Sequence, residues 1–148
     1  MRVYLDNCCY NRPFDDQGQT RVKLEVLAKL TVQMMMALRK IEYVWSKILD
    51  YEIKDNPFPR RKAAILRWRC GAAEYIETDI GLIDRARELM NFGLRHKDAL
   101  HVASAERAEC DWFLTTDRGI LKKLSICGKT KIANPIDFIM EVYHGDNR

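Results

Sequence analysis

Glycine is scarce and scattered: only seven occur in 148 residues. None form the glycine-rich loop with which nucleotide-binding folds cradle a phosphate chain. The five cysteines, at positions 8, 9, 70, 110 and 127, include no CxxC pair, which disfavours a zinc site. Their number is odd, and a disulfide between the neighbours Cys8 and Cys9 would be strained. All five read as small apolar or incidental thiols in a reducing compartment. No run of about 18 apolar residues is present, so no helix is expected to span a membrane. The opening stretch MRVYLDNCCYN sets Asp6 where the apolar core of a secretion signal would continue. A cytoplasmic chain is the expectation. Neither sign of charge dominates, with 25 Lys+Arg against 21 Asp+Glu and a net charge of +4. No Ser-His-Asp order suggests a serine nucleophile. A phosphatase built on two Asp residues two positions apart would need Asp at position 8, where Cys8 stands.

What is present fits one compact domain over residues 1–148, at 47% hydrophobic and 31% charged residues. Residues 2–5 read as a short buried strand, and the polar segment 11–18 as a loop. Helical spacing runs from Thr20 to Leu38, with Met34, Met35 and Met36 as core filler. A second strand is expected over 41–45. Ser46 would then cap a helix through Ile48, Leu49 and Ile53, stopped by Asn56-Pro57-Phe58-Pro59. Arg60 to about Ala73 reads as helical, and Thr78 or Asp79 caps a further helix that ends at Asn91-Phe92-Gly93. Lys97 or Asp98 starts a helix through Ala108. Residues 111–116 read as a strand, Asp117 opens a short helix, 131–133 form a last strand, and Pro135 starts the closing helix. Strands alternating with helices predict an α/β domain with a mainly parallel sheet and helices on both faces.

In such a sheet, sites form at the carboxyl ends of the strands. Asp6 directly follows the first strand and Asp117 the strand near residue 114. Asp98 lies in the first turn of a helix, and Glu52 sits about two turns into the helix capped by Ser46. Crowded carboxylates suit Mg²⁺ or Mn²⁺, hard cations that take oxygen ligands and support phosphodiester hydrolysis. Each acid also has a plainer explanation. Asp98 and Asp117 fit helix starts equally well, Asp6 could cap a loop, and Glu52 alone reads as a solvated helix residue. Only the joint pattern points to a site.

That pattern resembles a known family. Leu5-Asp6 at the end of the first strand, the Ser46-to-Ile53 segment containing Leu49-Asp50-Tyr51-Glu52, Lys97-Asp98-Ala99-Leu100-His101-Val102-Ala103, and Phe113-Leu114-Thr115-Thr116-Asp117 are similar to the PIN-domain family, which includes VapC-type toxins. The likeness runs over essentially the whole chain, in the family's order. It implies a three-layer α/β/α PIN-like fold, bound Mg²⁺ or Mn²⁺, and cleavage of single-stranded RNA by an endoribonuclease. Carried over by position, Asp6, Glu52, Asp98 and Asp117 are the catalytic and metal-holding acids, and Thr116 matches a hydroxyl near the metal. Asn7 and Arg12 are candidate substrate contacts. An antitoxin partner and a homodimer are implied as well. Many relatives carry a small hydroxyl residue or Asn two positions after the first Asp, where this chain has Cys8.

The alternative is a non-catalytic PIN-like RNA-binding or scaffold protein. Four retained like charges weigh against it, and neutralising them with metal would leave a more basic surface for a polyanion. His101, one turn after Asp98, could touch substrate, although helix packing or a supporting hydrogen bond is the commoner role. Arg60, Arg61, Lys62, Arg67 and Arg69 could follow an RNA backbone or simply form a solvated face. Tyr10, Arg12 and Phe14 could stack bases or cover the core.

Overall fold

The computed structural model describes residues 1–11, 20–123 and 128–146, the last four by backbone only. Five strands form one sheet in the order β3-β2-β1-β4-β5. They are β1 (Arg2–Leu5), β2 (Glu42–Ser46), β3 (Glu74–Ile76), β4 (Trp112–Leu114) and β5 (Lys131–Ala133). Every pairing is parallel, so the sheet expected to be mainly parallel is wholly so. The helices are α1 (Asn7–Asn11), α2 (Thr20–Ala37), α3 (Lys47–Lys54), α4 (Pro59–Leu66), α5 (Ile80–Asn91), α6 (His96–Arg107), α7 (Arg118–Leu121) and α8 (Pro135–Asp146).

Side-chain alternation along the strands sorts the two faces. Tyr4 and Phe113 stack at 5.3 Å on the face where Tyr4 also meets His101 of α6. Trp112, one residue earlier, meets Phe138 of α8 edge-on at 5.2 Å on the other face. Trp45 packs there against Tyr10 of α1. Helix α5 lies against α6, and α2 against α8, giving three layers. The Arg85 guanidinium holds both Glu106 carboxylate oxygens at 2.9 and 3.1 Å and so joins α5 to α6. At the turn between them Gly93 has φ of 103°, the left-handed conformation that ends helices and that a Cβ disfavours.

The sequence expectations need several corrections. Helix α1 and strand β3 were not foreseen. β3 is a three-residue edge strand in which only Ile76 is buried, so it carries no alternating apolar signal. The helix expected over 60–73 is α4 followed by a separate 3-10 turn, Arg67–Gly71. Pro59 starts α4 at its first position, where its missing N–H costs nothing. Helix α6 begins before Asp98, with Arg95 at its cap and Asp98 inside the first turn. Asn11 of the expected loop ends α1, and the rest of that loop, Arg12 and Phe14 included, lies outside the described residues. Met35 and Met36 are buried, whereas Met34 is exposed.

The order of strands fixes where a site can form. From β1 the chain proceeds outward to β2 and β3 on one side, then returns to place β4 and β5 on the other. The strand order therefore reverses between β1 and β4, and their carboxyl ends flank the crevice where ligands bind in open α/β sheets.

Candidate active site

Asp6 leaves β1 at this reversal point, and its backbone N–H donates to the Leu114 carbonyl of β4 at 2.9 Å. The parallel register aligns Tyr4 with Phe113 and Leu5 with Leu114. Continued by one residue, it sets Asp6 beside Thr115. The Thr115 hydroxyl donates to Asp6 Oδ2 at 2.8 Å, and Asp6 Oδ1 accepts from the Asn7 backbone N–H at 2.8 Å. Asp6 is buried, 5% exposed. Asp117 caps α7, its Oδ1 accepting from Gly119 N at 2.7 Å and Ile120 N at 3.3 Å. The plain helix-cap role holds for this residue, therefore, whatever else it does.

Glu52 reaches the same place from α3. Ser46, the last residue of β2, starts that helix by accepting from Leu49 N at 3.2 Å, as its position in the sequence predicted. Glu52 then lies on the face turned toward α1 and α6. Asn7 Nδ2 donates to its Oε2 at 3.4 Å, and its Oε1 contacts Nε2 of His101. Asp50, two residues earlier, is engaged elsewhere by Trp45, Arg69 and Tyr75.

His101 is fully buried. Its Nδ1 is 2.6 Å from the Tyr4 hydroxyl, which is itself 2.6 Å from Ser46 Oγ. Its Nε2, besides meeting Glu52, is 3.7 Å from Asp6 Oδ1. Burial would lower the imidazole pKa. The hydrogen bond to Glu52 and the negative charges of Asp6, Glu52 and Asp98 outweigh it and raise the value. Burial would correspondingly raise Glu52, but His101, Asn7 and Lys97 bring it below the usual range. Both shifts favour the charged pair. Donor atoms of Asp6, Glu52 and His101 all lie within 4.8 Å of one another.

Asp98 completes the field. Its pKa is raised to about 6, first by burial and then by the charges of Asp6 and Asp117, with Glu52 adding to the effect and His101 opposing it. Like charges that act on one carboxyl are relieved by a cation. Among the described residues the close donor group is Asp6, Glu52 and His101. Asp98 on α6 and Asp117 at the start of α7 lie outside it, and Asp98 feels the charges of Asp6, Asp117 and Glu52. An oxygen-rich donor set of this kind fits a hard divalent ion.

Cys8 is a further neighbour. Its sulfur is 3.4 Å from Asp6 Oδ2 and 3.5 Å from the Thr115 hydroxyl, and it accepts from Thr116 N at 3.4 Å. A hydrogen bond from Cys9 lowers its pKa against the effect of burial. It is not the incidental thiol the sequence suggested. Thr116 is buried beside it, and the hydroxyl that reaches Asp6 belongs to Thr115. Asn7 lies between Asp6 and Glu52. Tyr10 is buried against Trp45 and belongs to the core, not to a base-stacking surface. The contacts of Tyr4 and Thr115 at the site, and that of Ser46 with Tyr4 beyond its cap, carry no signal in the sequence. Period-two alternation places Tyr4 with Asp6 and Phe113 with Thr115, but only the register joins the two strands.

The fold is similar to that of two solved structures. FitAcB from Neisseria gonorrhoeae matches at TM-score 0.58 over 90% of this chain and 97% of that chain, with 15% identity. VapBC2 from Rickettsia felis, bound to a DNA fragment from its promoter, matches at TM-score 0.54 over 90% and 98%, with 13% identity. The fold is PIN-like. At these identities the likeness is one of fold alone. No protein-family model matches the sequence, and no curated protein does. Among the described residues no helix of this PIN-like chain is long and apolar enough to cross a membrane.

Proposed function

We propose that this PIN-like protein is a divalent-metal-dependent endoribonuclease of single-stranded RNA and the toxin of a toxin–antitoxin pair. The observation that carries the reading is the buried cluster at the β1/β4 crevice, where donor atoms of Asp6, Glu52 and His101 lie within 4.8 Å of one another. The charges of Asp6, Asp117 and Glu52 that raise the Asp98 carboxyl to about 6 support it.

Asp6, Asp98, Glu52 and Asp117 would hold Mg²⁺ or Mn²⁺. Such an ion, when bound, makes water nucleophilic near neutral pH and draws negative charge off a phosphate. The chain's own residues supply position. Thr115 and the Asn7 N–H hold both oxygens of Asp6 in place. His101, braced by Tyr4 and Ser46, holds Glu52 toward Asp6. Asn7, Thr116 and Arg12 are the proposed substrate contacts, Arg12 on the sequence alone. Exposed Arg60 on α4 and its neighbours offer cations to an RNA backbone.

An antitoxin partner and a homodimer follow from the same resemblance, and a cytoplasmic setting from the opening residues and the cysteine pattern. The neighbour VapBC2, seen with promoter DNA, makes a DNA-associated assembly with a small partner worth reconstituting. The reading is tested by incubating labelled single-stranded RNA with the protein and Mg²⁺ or Mn²⁺, with EDTA, and with Asp98→Asn. Metal-dependent cutting lost in the variant is expected. A folded protein that cuts no RNA with either metal, or cuts equally as Asp98→Asn, overturns it.

A further inference from the structure

A chain of side-chain amides leads from the carboxylate cluster to an open cleft. The Phe58 backbone N–H donates to Asn56 Oδ1 at 2.9 Å. Asn56 Nδ2 donates to Asn11 Oδ1 at 3.2 Å, Asn11 Nδ2 to Asn7 Oδ1 at 3.0 Å, and Asn7 Nδ2 to Glu52 Oε2 at 3.4 Å. The direction is set at both ends. A backbone N–H can only donate to the Asn56 oxygen, and the Glu52 carboxylate can only accept. Asn11 Nδ2 also meets the Asn7 carbonyl oxygen at 3.2 Å, another acceptor. Every amide is therefore oriented, with further donor and acceptor capacity that hydrogen bonds along the chain do not use up.

The cleft beside this chain holds about 300 Å³ and has Glu52 in one wall. That is at the small end of the range for ligand sites, roughly 300–1,000 Å³. Phe58 opens into it with half its surface exposed. The Arg61 guanidinium carbon lies 4.2 Å from the Phe58 ring centroid, a cation–π distance that fixes the ring's attitude. An exposed aromatic plane held by an arginine, beside oriented amides, is what an unstacked nucleobase is recognised by: stacking on the ring and hydrogen bonds at its edge. Basic residues 60–62 at the start of α4 can follow the backbone that such a base brings with it.

We propose that the cleft between Phe58, Arg61 and the Asn7–Asn11–Asn56 amide chain is a nucleobase subsite, seating the base of a nucleotide next to the phosphate that the carboxylate cluster would cleave. The proposal rests on the ribonuclease reading for its ligand class and adds to it a place for the base. The subsite borders Glu52, so a seated base puts its phosphate within reach of the cluster. Single-stranded RNA is required, because a paired base cannot swing into the cleft.

The test measures fluorescence anisotropy of a short labelled single-stranded RNA in EDTA, where no metal-dependent cutting competes. A backbone-only oligomer of the same length and charge, lacking bases, is measured beside it. Phe58→Ala is expected to weaken RNA binding about 5- to 150-fold, the range for loss of one base–aromatic stack. Phe58→Trp should keep the affinity, and the backbone-only oligomer should bind wild type and Phe58→Ala alike. Equal RNA affinity in wild type and Phe58→Ala overturns the subsite. So does an equal loss for the backbone-only oligomer, which would mean that Phe58 acts without a base, and so does absence of RNA binding by the wild-type protein. The two readings fail separately. Base-dependent binding that needs Phe58, with no metal-dependent cleavage, removes the nuclease and leaves the subsite; cleavage and binding indifferent to Phe58 do the reverse.

Discussion

The Thr115 hydroxyl donates to Asp6 Oδ2 at 2.8 Å and accepts from the Asp117 backbone N–H at 3.0 Å. One buried oxygen thus joins the acid that follows β1 to the acid that follows β4. Removing it by Thr115→Val leaves the Asp117 N–H without this partner and Asp6 Oδ2 with the weaker Cys8 thiol. A loss of about 1–3 kcal/mol is expected, read from the denaturant midpoint, with Thr115→Ser restoring most of it. Wild-type stability in Thr115→Val would mean that the hydroxyl is not engaged.

Tyr4 braces His101 from behind. Tyr4→Phe keeps the ring stacked on Phe113 but removes the hydroxyl between Ser46 and His101. The fold should persist, while divalent-metal affinity falls by up to about 10-fold, the low end for losing a ligand's supporting partner, because His101 itself remains against Glu52. Calorimetric titration with Mn²⁺ checks this, and unchanged affinity would make the brace purely structural.

How far the sequence foresaw the site depends on what each contact spans. The places of Asp6, Glu52, Asp98 and Asp117 at strand ends or on helices could be read from local signals, such as Ser46 as the α3 cap, whereas their grouping into one site came only from the joint pattern and the resemblance. Local signals likewise marked β1, β2, β4 and β5. The link of Thr115 to Asp6 could not be read, since it joins residues 109 positions apart through a register that no local pattern encodes. The amide chain from Asn56 to Asn7 escaped for the same reason, and because α1 has only five residues. β3 carried too little buried surface to be seen.

Asp98 makes stability depend on pH. Its carboxyl titrates near 6 in the folded protein instead of at the ordinary 3.8. Between those values the folded protein keeps a proton that the unfolded chain has released. Stability contributed by this group is therefore lost as pH rises from about 4 to about 6 and stays lost above. Without divalent metal, Asp98→Asn should be more stable than wild type at pH 8, by on the order of 1–2 kcal/mol after allowance for solvent screening. The difference should vanish near pH 4. Thermal melts at both pH values in EDTA measure it; an equal gap at both would contradict the assigned cause.

The thiols should react in an order set by exposure. Cys70 is exposed, Cys8 partly so, and Cys9 and Cys110 are buried, with burial pushing Cys110 up to about 12. Among the thiols of the described residues, iodoacetamide followed by peptide mapping should label Cys70 first and Cys8 more slowly. Cys9 and Cys110 should react only after unfolding. Early labelling of Cys110 would contradict its place under Thr130, whose hydroxyl bonds the Cys110 carbonyl at 2.7 Å.

In the proposed reading, Asp6, Glu52, Asp98 and Asp117 together hold a divalent cation where the strand order reverses between β1 and β4. Titration of Mn²⁺ followed by electron paramagnetic resonance tests it without any assumption about substrate. Saturable binding by the wild-type protein, sharply weakened in both Asp6→Asn and Asp98→Asn while each variant stays folded, is the predicted result. No binding by the wild-type protein, or binding unaltered in the two variants, would contradict it.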